Sequence, residues 1–207
     1  MFPCCTNGPA FPVGHHDVNT PAHLILGSAL LARRGEWKVN TAAVVGSLAP
    51  DVSLYLLAAH ALFIQHQPSS IVFDQMYFSE AWQKIFAVDN SFFVWLVLLA
   101  IAGLARLRWL GIFAIAGLLH LATDFPLHHD DGRPHFWPLS DWIFASPVSY
   151  WDPAHYRTIV GMLESGLCLV LCIPLFRRFH GWPARSAIVL AALAVTAPNL
   201  VWHLAGF

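Results

Sequence analysis

The sequence predicts an all-α, multi-span helical integral membrane protein with five to six hydrophobic helices. Three observations lead there. Hydrophobic residues make up 57% of the 207 and charged residues only 11%, against about 25% charged in an ordinary soluble domain. The mean hydropathy is +0.57. No alternation of polar and apolar residues runs long enough to build a sheet. With so few charges the chain cannot cover a water-facing surface, and 207 residues cannot bury this many apolar side chains in a soluble core. The same figures exclude a disordered chain, a coiled coil and a disulfide-knotted secreted module. A net charge of −1 offers no basic face for nucleic acid.

The elements follow in order. Residues 1–19 carry no Lys or Arg and no apolar core, so they are not a signal peptide; they read as a polar, disordered leader. Residues 20–207 read as a single helical membrane domain. Thr20-Pro21 suggests an N-cap with proline in the first turn of a helix to about Leu31, too short to cross a bilayer. Thr41 to about Ile64 is long enough, although Pro50-Asp51 should open it. Residues 65–90, with Tyr77, Phe78, Trp82 and Phe86, fit an amphipathic interfacial helix. Ser91–Ala105 and Trp109–Phe125 follow as spans, then a polar loop over 126–157, then spans over 158–176 and 186–204.

Charge placement tests this layout. If the turn after the first helix is cytoplasmic, that side holds Arg33, Arg34, Lys38, Arg106, Arg108, Arg177, Arg178 and Arg185, eight of the eleven basic residues. This is the asymmetry of the positive-inside rule, and it places the 126–157 loop on the outer face. The reading is an integral protein of the bacterial inner membrane with its site toward the periplasm. Cys4 and Cys5 fall in the leader, and Cys168 and Cys172 lie i,i+4 in an apolar run as small buried thiols.

The scarce polar groups are not scattered. The chain has 12 His, as many as Asp and Glu together, and residues 120–155 hold five of them with five of the nine Asp. His120 and Asp124 are i,i+4 and share a helix face near its outer end. Ionisable groups at such depth cost several kcal/mol unless paired or metal-bound. His128, His129, Asp130 and Asp131 come one turn later, and His135 further along the loop. Asp51 stands in the apolar run 44–57, and His23 in the first turn of the first helix. Imidazole with carboxylate suits Zn²⁺ first, with Mn²⁺ or Fe²⁺ as alternatives, rather than a thiolate site. Glu164, inside the 158–176 helix from its outer side, either reaches the same cavity or pairs with Arg157.

The stretches Thr20-Pro-Ala-His23-Leu, Gly46-Ser-Leu-Ala-Pro-Asp51 and Leu119-His120-Leu-Ala-Thr-Asp124 resemble the YdjM-like membrane-bound proteins, a former domain of unknown function described as metal-dependent hydrolases. The resemblance covers roughly residues 20–160. It implies a multi-span helical protein with His23, Asp51, His120 and Asp124 as metal ligands near the membrane surface. The chain has Val52-Ser53-Leu54 where many members carry a second acid, and it lacks their His-Arg-Gly…Thr-His-Ser segment; its extension over 124–141 marks a divergent subgroup in which His128, His129 and His135 are candidates to replace the missing ligands, His128 first.

The function expected is a metal-dependent hydrolase acting on a phosphoester or lipid-linked substrate at the outer membrane interface, with the bilayer as its surroundings. The metal would activate water and polarise the reacting centre. His129 or Asp130 would serve as base, and Arg133 would face an anionic group. The alternatives are a proton- or metal-handling transporter and a non-catalytic structural membrane protein. A path across the membrane predicts acids and His along several spans, whereas here they gather on one side.

Overall fold

The computed structural model describes residues 20–150 and 152–205, the side chains of 201–205 excepted. The leader with Cys4, Cys5, His15, His16 and Asp17 lies outside the described residues, as do the side chains of Trp202 and His203. Every regular element among the described residues is helical. They are α1 (Thr20–Leu31), α2 (Trp37–Ala59), α3 (Ser69–Ile71), α4 (Glu80–Asp89), α5 (Phe92–Leu104), α6 (Arg108–Asp124), α7 (Arg157–Arg178) and α8 (Trp182–Ala205). A π-helical turn over His60–Ile64 prolongs α2, a second over Val72–Met76 follows α3, and a 3₁₀ turn over Pro153–His155 precedes α7.

Four stretches are long and apolar enough to cross a membrane: Trp37–Ile64, Glu80–Leu104, Arg157–Arg178 and Trp182–Leu200. One expectation changes here. The interfacial segment before residue 91 is α3, a π turn and α4, and α4 runs on into α5 as one apolar stretch. α6, which the sequence also predicted as a span, has 17 residues, at the lower end of the roughly 17–25 that cross a bilayer. It is the central helix, against which α2, α5 and α1 pack.

Small residues allow these close crossings. A Cβ on Gly46 of α2 would collide with the Phe113 carbonyl of α6, and one on Gly117 of α6 would collide with the Trp95 ring of α5. Backbones that approach this closely gain dispersion contacts that larger side chains would prevent. Trp95 is locked there by its indole N–H, which donates to the Asp89 carbonyl at 2.6 Å.

Pro50 does not open α2. The helix is continuous from Trp37 to Ala59, and two of its carbonyls near the proline accept further bonds from other elements. The Pro50 carbonyl accepts from Asn90 Nδ2 at 3.2 Å, and the Ser47 carbonyl from His120 Nδ1 at 2.8 Å. Thr20 likewise departs from the expected cap, its hydroxyl donating to Asp51 Oδ2 at 2.6 Å.

The two ends of the bundle differ. At one end the α1–α2 and α5–α6 turns are joined by Arg108 and Glu36, 2.7 Å apart. Arg178 at the end of α7 donates to the Ala29 and Ala32 carbonyls at 3.0 and 2.5 Å, closing the C-terminus of α1. Cys168 and Cys172 are both buried free thiols, packed with Ala22, Ile25 and Ala29. At the opposite end the loop after α6 folds back on an aromatic cluster. Phe125 stacks on Phe144 at 4.9 Å and meets Phe136 edge-on at 5.8 Å. His135 lies between the Phe92 and Phe125 rings, 5.6 Å from each.

Candidate metal centre

The first turn of α1 and the last turn of α6 meet at that loop-covered end. Asp124 is the hub. Its Oδ1 is 2.9 Å from His23 Nε2, and its Oδ2 is 3.1 Å from His120 Nε2 and 3.6 Å from His128 Nε2. The His23 and His120 rings stack with centroids 3.8 Å apart. One donor atom from each of His23, His120 and Asp124 lies within 4.8 Å of the others, and all three residues are buried. A buried His/His/Asp cluster able to coordinate a metal ion is therefore present.

The hydrogen bonds fix which ring nitrogens carry hydrogen. His120 Nδ1 faces the Ser47 carbonyl, which can only accept, so Nδ1 carries the proton. The Thr123 hydroxyl spends its hydrogen on the Leu119 and His120 carbonyls at 3.0 and 2.9 Å, so it accepts from His23 Nδ1 at 3.1 Å. Both Nε2 atoms are thereby aimed at the Asp124 carboxylate. His120 Nε2, fully buried, has no hydrogen-bond partner despite its proximity to Asp124. Two imidazole nitrogens and a carboxylate buried together need a cation among them, a ring proton or a metal ion. The donor set of two imidazoles and a carboxylate, each imidazole oriented by its other nitrogen, fits a divalent cation with an open position.

Asp51 and His128 flank the cluster. Asp51 Oδ1 is 3.5 Å from His120 Nε2 and 3.7 Å from Arg133 Nη1. His128 Nε2 is 2.7 Å from the Tyr150 hydroxyl, which is 3.3 Å from Asp124 Oδ1. Burial works against a charged His128, but Asp131, 2.8 Å from its Nδ1, and Asp124 push the imidazole up to about 9.

The three residues expected to carry chemistry are placed differently. His129 faces the Ser146 carbonyl at 2.6 Å and stacks on His155 at 3.5 Å, while Asp130 is exposed. Among the described residues neither is bonded to the cluster. Arg133 is buried, donating to Asn90 Oδ1 at 2.8 Å and lying 5.0 Å over the Phe86 ring. It is a bridge between α2, α4 and the loop, not an open cationic surface. His135 donates from Nδ1 to the Asn90 carbonyl at 2.8 Å, and Glu164 lines a cavity together with His23.

Sequence reasoning missed Ser47, Thr123, Tyr150 and Asn90. Ser47 and Thr123 stood inside two of the three quoted stretches, Ser47 ahead of Asp51 and Thr123 between His120 and Asp124. The signal was present, but a backbone carbonyl and a bifurcated hydroxyl carry no chemistry recognisable from residue type. No protein-family model, curated protein or solved structure matches the chain.

Proposed function

We propose that the protein is a divergent YdjM-like metal-dependent hydrolase of the bacterial inner membrane. Its site faces the periplasm and acts on a phosphoester or lipid-linked substrate at the membrane interface. The single observation that carries the metal-dependent reading is the convergence of buried His23, His120 and Asp124 donor atoms within 4.8 Å of one another. Long apolar helices and the basic turns at the far end support the membrane setting.

His23, His120 and Asp124 would hold the cation, with Asp51 and His128 beside them. A divalent cation, zinc first by its donor preference, supplies an acidified water and polarises a phosphoryl or acyl oxygen. The chain's own residues do the rest. Ser47 and Thr123 hold the two imidazoles in one tautomer. Thr20 and Arg133 hold the Asp51 carboxylate beside His120. His128 and Tyr150 form a hydrogen-bonded pair against Asp124 through which a proton can pass to a leaving group. The loop over 126–150 excludes bulk water from the cluster.

The test is the metal content of detergent-purified protein beside an Asp124→Ala variant, with hydrolysis of phosphoester and acyl-ester reporters measured on the same samples. Stoichiometric metal in the native chain and none in the variant is expected, with activity following the metal. Absence of metal after reconstitution with zinc, manganese or iron would overturn the reading.

A further inference from the structure

A cavity of about 570 Å³ lies between α1, the end of α6 and the first half of α7. Its size falls in the range of about 300–1,000 Å³ usual for small-molecule sites. Apart from His23, Thr123 and Glu164, its wall is almost entirely apolar, with Ala22, Leu26 and Leu127 on the inner side. His23 therefore has two faces to serve: its Nε2 meets Asp124, and its residue forms part of the cavity wall.

The outer wall states where the cavity opens. Ile159, Leu163 and Leu167 repeat at i,i+4 along α7, and each lines the cavity while remaining 55%, 70% and 55% exposed. The cavity surface thus continues onto the outer face of α7, a helix long and apolar enough to cross a membrane. An opening through such a face leads to hydrocarbon rather than to water. Tyr156 at the rim is held at φ +64°, a left-handed conformation that is strained for a bulky residue. That conformation turns the chain from the loop into α7 at the cavity's edge.

We infer that this cavity takes one hydrocarbon chain of a membrane lipid, entering across the Ile159–Leu163–Leu167 stripe, with the lipid's polar head brought to His23 and Thr123. The occupant is a chain and not a peptide or a water-soluble metabolite, because the wall offers almost no hydrogen-bond partners away from its His23 end. The role of the head group rests on the hydrolase reading above; the binding of the chain does not.

The experiment uses the full chain in phosphatidylethanolamine–phosphatidylglycerol vesicles doped with a phosphatidylglycerol carrying a diazirine at one chain terminus. After irradiation, adducts are mapped by peptide mass spectrometry. Labelling of the inner wall at Ala22, Leu26 and Leu127 is expected, together with the outer stripe. Labelling confined to outward-facing positions such as Leu193, which is 54% exposed on α8, would overturn the inference. A Leu26→Trp variant fills the cavity and should reduce inner-wall labelling at least about tenfold, the scale of losing apolar contacts in a pocket. Labelling at Leu193 and the metal content should stay unchanged. Unchanged inner-wall labelling in a folded Leu26→Trp protein would also overturn it. Asp124→Ala separates the two readings: chain labelling without metal in any sample leaves the cavity standing and removes the hydrolase, and the reverse result does the opposite.

Discussion

The two ends of the helical bundle use charge in opposite ways. At the basic end Arg33, Arg34, Lys38, Arg106 and Arg108 are exposed, and Arg108 meets Glu36 near the surface. At the other end His23, Asp51, His120, Asp124, His128 and Arg133 are all buried and face one another. An exposed pair such as Arg108–Glu36 contributes at most about 1 kcal/mol. A buried group left without its partner costs several times that. The basic end is thus tolerant, whereas the loop-covered end is demanding.

Substitutions should reproduce this contrast. Asp124→Ala removes the carboxylate that both imidazoles face. It is expected to weaken metal binding by more than about 100-fold, beyond the 10- to 100-fold typical of losing an outer-shell partner, as read by metal titration. Next in size is acid destabilisation through His135. Burial among Phe92 and Phe125 pulls this imidazole from 6.5 down to about 4, although its bond to the Asn90 carbonyl works the other way. A depressed value means that the unfolded chain takes up the proton first. The stability contribution is therefore complete above pH 6.5 and lost as pH falls through about 4. The loss is on the order of 3 kcal/mol, and thermal unfolding against pH should show it, flattened in His135→Gln.

Gly46→Val should come third. Its side chain would press on the Phe113 carbonyl and force α2 from α6, for about 1–3 kcal/mol by denaturation. Because Ser47 and Asp51 ride on α2, its metal affinity should fall as well. Thr123→Val keeps the shape but removes the acceptor for His23 Nδ1. Metal affinity should drop about 10- to 100-fold with a normal melting curve; an unchanged affinity would show that the tautomer of His23 is set elsewhere. The smallest effect belongs to the basic end, where Arg108→Ala should cost less than about 1 kcal/mol and leave metal binding unaltered. An effect on metal there would break the proposed separation of the ends.

Much of this contrast was legible from residue order alone. His120 and Asp124 share a face because four residues make one helical turn, and their apolar surroundings make them conspicuous. His23 and Asp51 were conspicuous for the same reason. The placement of α6 was less legible. Its composition suits a lipid-facing span, yet Gly46, Gly117 and Trp95 wrap it in protein, and apolar residues read alike in lipid or in a core. His129, Asp130 and Arg133 also read alike as loop polar groups. Their fates diverged through Ser146, solvent and Asn90, partners that no local pattern announces.

The sequence by itself determined the all-helical class, the apolar character of α2, α5, α7 and α8, the basic turns and the residues of the His/His/Asp cluster. These depend on composition and on spacings of one turn, which the covalent chain fixes. Only the tertiary structure decided that Pro50 leaves α2 unbroken, that Ser47 and Thr123 aim both Nε2 atoms at Asp124, and that an apolar cavity opens beside His23. Each of these joins residues tens of positions apart, and a hydrogen bond or a void between helices exists only once their relative placement is set.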